Sequence, residues 1–325
     1  MTAVVTDEAF FALVEPLRGE LTAHCYRMLG SVHDAQDLVQ ETYLRAWRAY
    51  ERFEQRSSIR TWMYQIATNA CLTALQNSAR RPMPTGLGQP RSDPFGRLDS
   101  TPEVSWLEPI PDSLVWGSGE TADPAAEVVT RESVRLAFVA ALQHLTPQQR
   151  AVMILRDVLA WRASEVAEAL DMTTAGVNST LQRARAHLGK LAPGQSPELP
   201  AGDHAQELLE RYVAAFENYD VDGIVSLLKE DAVWEMPPYT GWYQGAVQIG
   251  QLISTNCPAS AAGDMRMVPT SANGQPAFGL YMRDPDGVHR AFQLQQLTLS
   301  GGKVSHVAAY FDLSLFPTFG LPDQL

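Results

Sequence analysis

The sequence predicts a multidomain chain: two all-α blocks followed by an α+β block. Three observations predict it. Residues 8–81 and 127–191 carry apolar side chains at helical spacing almost throughout. Between them, residues 82–126 repeat Pro and Gly too often for a long helix or a central strand. From His204 onward, amphipathic helices give way to runs of strand character joined by Asp284-Pro285-Asp286-Gly287 and Ser300-Gly301-Gly302 turns.

A chain of 325 residues that is 45% hydrophobic has material for two or three cores. Its net charge of −12 opposes a free DNA-binding protein, because phosphate neutralisation supplies most non-specific affinity. Either the chain does not read DNA, or the acid is segregated, or another protein supplies the positive surface. The three cysteines, Cys25, Cys71 and Cys257, lie far apart, with no metal-ligand spacing and no disulfide framework. A reducing compartment is expected, with no metal and no cofactor. No apolar run approaches the ~20 residues that span a bilayer, and the N-terminus lacks a basic region ahead of an apolar core. The expectation is a cytoplasmic chain with no membrane insertion.

In the first block, Asp34 to Trp47 reads as a strongly amphipathic helix. Ala35, Leu38, Val39, Thr42, Ala46, Trp47 and Tyr50 line its packing side, and Asp34, Asp37, Gln40 and Glu41 cluster on another. The next helix opens at Ser57 or Ser58 as cap. Ile59, Trp62, Ile66 and Ala70 are its packing positions, and Arg60, Gln65, Asn69 and Thr73 its polar ones. Aromatics interleaved with basic and amide side chains suit single-stranded nucleic acid, where bases stack and phosphates need charge. Residues 82–126 read as a linker that holds the two helical blocks apart, with Val104–Pro109 as a short apolar peptide able to dock.

The second block, 127–191, has the grammar of a helix-turn-helix. Thr146 caps a helix with Pro147 at its first position. Ser164 is expected to cap the next, where Val166, Ala167 and Leu170 share one face. After Asp171-Met172-Thr173, a last helix places Val177, Leu181, Ala184 and Leu188 on one side. Its other side carries Asn178, Ser179, Gln182, Arg183 and Arg185, which offer the donors and charge that base edges and phosphates accept. Such a helix fits the major groove.

Residues 192–203 form a second Pro/Gly-rich linker. In the third block, 204–325, apolar helical residues precede strand-like runs at 232–236, 265–272, 277–283, 288–299 and 303–312. Acidic side chains outnumber basic ones there by about two to one, which accounts for much of the net charge. The apolar tail Leu315–Pro322 is expected to dock on this block or on the linker between the helical blocks.

Several of these phrases resemble a known family. The Asp34–Trp47 and Ile59–Leu72 passages resemble region 2 of the extracytoplasmic-function class of sigma-70-family factors. The Leu145-Thr146-Pro147-x-x-Arg150 entry, the two helices and the ending Leu181-Gln182-Arg183-Ala184-Arg185-Ala186-His187-Leu188 resemble region 4 of the same family. The third block, with Trp234–Tyr239, Gly241–Gly245 and Asn273–Pro276, looks like the SnoaL-type, nuclear-transport-factor-two-like cone domain appended to some members.

The resemblance implies a subunit that directs RNA polymerase core to promoter DNA, with no active site of its own. It puts contact with the β′ clamp helices on Asp34, Asp37, Gln40 and Glu41, and a further contact of region 4 with the β flap. It puts −10 reading on Arg60, Trp62, Asn69 and the segment 53–58, and −35 reading on Asn178, Ser179, Gln182, Arg183 and Arg185. It departs from the family where Asn178 and Thr180 stand in place of Lys or Arg, and where Asp171 makes the turn in place of Gly. Relatives of the third block enclose a pocket. Glu235, Tyr239, Trp242, His289, Gln293, His306, Tyr310 and Asp312 are its candidate lining, for a small-molecule ligand or for acid–base chemistry. An anti-sigma factor is a further partner that the resemblance implies. The alternative is a helix-turn-helix regulator fused to a ligand-binding or catalytic domain.

Overall fold

The computed structural model describes residues 7–53, 57–116, 132–191 and 203–325. The chain divides into two compact units, residues 1–81 with 107–193 and residues 82–106 with 194–325.

The first unit is helical. Helices α1 (Asp7–Val14), α2 (Arg18–Leu29), α3 (Val32–Ala49) and α4 (Ile59–Ala74) form its N-terminal bundle. α2 stops at Gly30, whose φ of 72° is the left-handed cap that glycine adopts without strain. Ser31 and Ser58 cap α3 and α4 by accepting from the N–H groups of Asp34 and Thr61. Val32, Ala35, Val39, Tyr43 and Ala46 are the buried face of α3. Trp47, expected on that face, is 44% exposed and shares the outer side with Leu44. Trp47 lies seven residues beyond Gln40 on α3, close to two whole turns, so it follows the exposed polar stripe and not the core.

Helices α5 (Leu136–Leu142), α6 (Pro147–Met153), α7 (Ala163–Ala169) and α8 (Thr174–Leu191) make the second bundle. Thr146 and Gln149 form a capping box ahead of Pro147. Ser164 does not cap α7. Arg162 holds the cap position, and its N–H donates to the Glu165 carboxylate at 2.6 Å. Asp171 takes φ 51°, the left-handed turn that a short polar side chain tolerates. Val166, Val177, Leu181 and Ala184 are buried, with α8 packed on both α6 and α7.

The two bundles are not held apart. Arg150 on α6 is 3% exposed and donates to the carbonyls of Met28 and Leu145 and to Gln143 Oε1. Arg27 on α2 is equally buried and donates to the Ser133 carbonyl at 3.3 Å. The Tyr64 and Trp161 rings meet edge to face at 6.1 Å. Burial pulls both guanidinium pKa values down to about 10 and that of His24 to about 3. The peptide Leu107–Pro111 also docks here. Leu107 and Ile110 are fully buried, and the Glu108 carboxylate accepts from the N–H of Val32 at 2.9 Å, at the positive end of α3.

The second unit is α+β. Helices α9 (Asp203–Glu217), α10 (Val221–Leu227) and α11 (Ala246–Asn256) cover one face of a six-stranded sheet. Its strands are β1 (Leu228–Glu235), β2 (Trp242–Gln244), β3 (Met265–Ala272), β4 (Gln275–Arg283), β5 (His289–Ser300) and β6 (Lys303–Tyr310). They lie in the order β2-β1-β6-β5-β4-β3, all antiparallel except the parallel pair β1/β6. Trp234, Val307 and Leu297 pair on the helix-covered face, so their neighbours Glu235, Ala308 and Gln296 fall on the other. The tail helix α12 (Leu315–Thr318) and Leu321 lie on that outer face over Gly279, where a Cβ would stand 2.8 Å from Leu321 and 3.2 Å from Phe316.

Residues 82–116, expected as linker, are built into both units. Residues 82–106 run along the sheet unit and 107–116 along the helical one; 117–131 and 192–202 lie outside the described residues.

Replacing Arg150 with Ala strands three buried acceptors. We expect the helical unit to lose about 3 kcal/mol, measured by urea denaturation. A variant as stable as the wild type would mean that the guanidinium contributes nothing net.

Candidate functional site

The helical unit presents two polar faces. On α8, Asn178, Ser179, Gln182, Arg183 and Arg185 are all exposed, while Val177, Leu181 and Ala184 are buried behind them. The arrangement of the helix-turn-helix therefore brings the five together. Thr173 caps the helix by accepting from Gly176 N–H at 3.0 Å. Arg183 leans on Thr180 Oγ1 at 3.2 Å. Arg185 is clamped by Asp157 through two bonds of 2.6 and 3.0 Å, which holds its charge beside the polar face and raises its pKa.

On α3, Asp37 and Gln40 are exposed, whereas Asp34 is paired with Arg81 at 2.6 Å and Glu41 with Arg45 at 2.7 Å. Leu44 and Trp47 continue the same stripe, so an acidic face is extended by an apolar one. On α4, Trp62 and Asn69 are seven residues apart and share a face. Arg60 does not join them. It turns toward α2, where Glu20 takes both its Nε and Nη2, and its guanidinium lies 5.2 Å from the Tyr64 ring centroid. Trp62 stacks on Phe53 at 4.6 Å with Tyr50 beyond at 6.4 Å. Sequence reasoning did not pair Tyr50 and Phe53 with Trp62. The signal was there in three aromatics flanking one short loop, of which residues 54–56 lie outside the described residues.

In the sheet unit the eight candidate pocket residues do not form one pocket. Glu235, Trp242, His306 and Tyr310 share the outer face. Gln293 pairs with Leu280 and belongs to the opposite, helix-covered face, and Tyr239 packs at the margin of that core against Phe311. His289 begins β5, nine positions from the residue opposite His306, and binds the Gly263 carbonyl. Asp312 lies beyond β6, exposed, and holds the Ser314 hydroxyl and N–H. Alternation was correctly read along β6, but it does not continue past the strand's end at Tyr310.

What remains is a compact pair. Glu235 Oε1 meets His306 Nε2 at 2.7 Å, and Oε2 accepts from Thr85 N–H at 2.8 Å. Glu235 is 3% exposed. Burial pushes its pKa up, but the hydrogen bond and charge of His306 and the Thr85 N–H outweigh this, and the carboxyl ends below its ordinary value of 4.5. Tyr310 donates to Met83 Sδ at 3.8 Å and Trp242 Nε1 to the Gln89 carbonyl at 3.0 Å. The chain's own residues 83–89 cover this face.

Comparison with known proteins gives the family. Residues 13–81 match the model of Sigma-70 region 2, and residues 135–188 that of Sigma-70 region 4. The ECF RNA polymerase sigma factor SigG of Mycobacterium tuberculosis is 58% identical over 318 residues, 97% of this chain and 85% of that protein. The chain is an extracytoplasmic-function sigma factor of the sigma-70 family. SigJ of M. tuberculosis is 33% identical over 68% of the sigma factor and 62% of its own length. The crystal structure of SigJ has the same fold, with a TM-score of 0.60 at 23% identity, covering 96% of this chain and 99% of that one. The two helical regions followed by an α+β unit are thus the architecture that the sequence predicted. As a sigma factor the protein works with RNA polymerase and promoter DNA.

Linkage gives the Glu235 pair a pH signature. A folded pKa below the unfolded one contributes stability that is complete above about pH 4.5 and is lost as pH falls through the folded value. Urea titrations followed by tryptophan fluorescence should show Glu235→Gln less stable than wild type at neutral pH, the difference shrinking in acid. A gap that stays constant with pH would refute the ionised pair.

Proposed function

We propose that this sigma factor docks on core polymerase through the α3 stripe of Asp37, Gln40 and Glu41, with Asp34 at its head. It sets the exposed face of α8 on the −35 duplex and the Trp62–Asn69 face of α4 on the melted −10 strand. The observation that carries this reading is the five-residue polar face of α8, exposed as a whole on a helix whose other side is buried. Asn178 and Gln182 are the base readers, because amides bond adenine edges in pairs. Arg183 and Arg185 serve phosphate, Arg185 through the orientation that Asp157 gives it. Arg60, turned onto Glu20, acts by bracing α4 and not by touching DNA. An acidic face on α3 fits a basic partner surface such as the β′ clamp helices, and the β flap is the partner of region 4. The protein acts in the cytoplasm, where an anti-sigma factor is a further partner. Among the described residues no helix is long and apolar enough to cross a membrane.

The SnoaL-like unit is a regulator in cis without catalysis. Its histidine–carboxylate pair lies beneath the protein's own chain, and the other candidate acid–base groups, His289 and Asp312, are far from it along the fold. The segment it holds, residues 82–106, joins region 2 to region 4, so grip on that segment bears on how the regions separate.

In vitro transcription with core polymerase tests the assignments. Asp37→Arg with Glu41→Arg should abolish co-purification with core enzyme at unchanged helicity. Arg183→Ala should weaken all promoters alike, whereas Gln182→Ala or Asn178→Ala should change −35 preference by about 1–3 kcal/mol. Wild-type behaviour of all these variants on a matched promoter set would remove α3 and α8 from their roles. Deleting residues 204–325 should alter run-off yield without abolishing polymerase binding. Equal yield would leave the C-terminal unit without a regulatory role.

A further inference from the structure

Residues 82–101 are held on the C-terminal unit by contacts suited to one kind of segment. Pro82, Met83 and Pro84 are all buried. Each proline fixes its own φ and lacks an N–H, and the residue between them is kept extended. Met83 sits at φ −99°, ψ 162°. Such a run loses little entropy when it docks. The first N–H after it is that of Thr85, and it meets the one Glu235 oxygen that His306 leaves over. Gln89 is then gripped twice, its carbonyl by Trp242 Nε1 and its amide by the Thr240 carbonyl. The segment continues as a strand-like edge, with Ser92 N–H on Trp242 O at 2.8 Å, Thr240 N–H on Asp99 O at 2.9 Å and Thr101 N–H on Pro238 O at 3.0 Å. A cover that served only to hide apolar surface would need no buried carboxylate aimed at its main chain, and burying one carries a desolvation cost.

We propose that the face bearing Glu235, His306, Trp242 and Tyr310 is a peptide-recognition site. It takes proline-bracketed segments that are extended at the residue between the prolines and then turn into a short 3-10 helix, as Pro84–Leu87 does, whose first free main-chain N–H meets Glu235, and residues 82–89 occupy it as an exchangeable ligand in cis. A segment of that chemistry on another protein competes for the site and, on binding, releases residues 82–101. The consequence for transcription rests on the regulatory reading above; the recognition itself does not.

The test uses the full chain, wild type and a variant carrying Pro82→Gly, Met83→Gly and Pro84→Gly, which loosens the resident segment and leaves the floor unchanged. The probe is a fluorescent peptide of residues 82–91, with a second copy in which an ester oxygen replaces the Thr85 nitrogen. Anisotropy should show saturable binding to the triple-glycine chain and binding about tenfold weaker or worse to wild type. The ester copy, and Glu235→Gln in the triple-glycine background, should each cost about tenfold, as one charge-assisted hydrogen bond does. Binding indifferent to both changes overturns the proposal, as does no binding to a triple-glycine chain with wild-type circular dichroism and melting. If that chain misfolds, hydrogen exchange decides. Glu235→Gln alone should speed exchange across residues 85–101, and unchanged protection overturns the proposal. Run-off yield with and without peptide is read separately, so a failure of regulation is distinguishable from a failure of recognition.

Discussion

The buried guanidinium of Arg150 is the interaction on which the helical unit depends. It reaches from α6 of region 4 to the end of α2 in region 2, and with Arg27 it fastens the two promoter-reading regions to each other. That closure sets a size. A compact unit of this length is about 40 Å across. The −35 and −10 elements lie some 25 base pairs apart, about 85 Å at about 3.4 Å per pair. The closed unit cannot touch both. On the proposed reading, in which region 4 takes the −35 duplex and region 2 the −10 strand, the two regions part on a promoter and the arginine contacts break or are replaced. Such an opening needs a partner that prefers the open arrangement, since only that shifts the population toward it.

Parting the regions also requires chain. Residues 82–106 hold about 80 Å of contour when extended. On the sheet unit that length is fixed by the Glu235 pair, by Trp242 and by the edge pairing at Tyr239. On the regulatory reading proposed above, the sheet unit bears on promoter selection through the reach it withholds. Its outer face is otherwise occupied by the tail over Gly279, so both coverings of that face come from the same chain.

Much of this was legible in the sequence. The Thr146–Pro147 start, the polar face of α8, the left-handed Asp171 and five of the six strands follow from caps, periodicity and turn residues, all of which act within a few positions. What escaped depends on distant contacts. β2, three residues long, has too little pattern to announce a strand. Prolines in 82–126 exclude long helices and central strands, but they do not exclude docking, and here they favour it by pre-extending Met83. The sequence placed Glu235 and His306 in one candidate set, yet gave no means of knowing which sheet face they share or what covers them. Arg60 looked like a free cation because Glu20, forty residues away, is invisible to any local reading.

The same long-range pairing resolves the charge problem. The chain has 25 basic side chains against 37 acidic ones, and many of the basic ones are already committed. Arg27, Arg135 and Arg150 are buried, and Arg60, Arg81, Arg266 and Arg290 each bind a carboxylate. Positive charge that could meet phosphate is therefore scarcer than composition suggests, while on α3 Asp37 stays exposed to solvent. A closed chain of this kind has weak phosphate affinity and a steep preference for a basic protein surface. On the reading proposed above, its acidity favours a basic protein partner, which supplies the positive field that DNA requires.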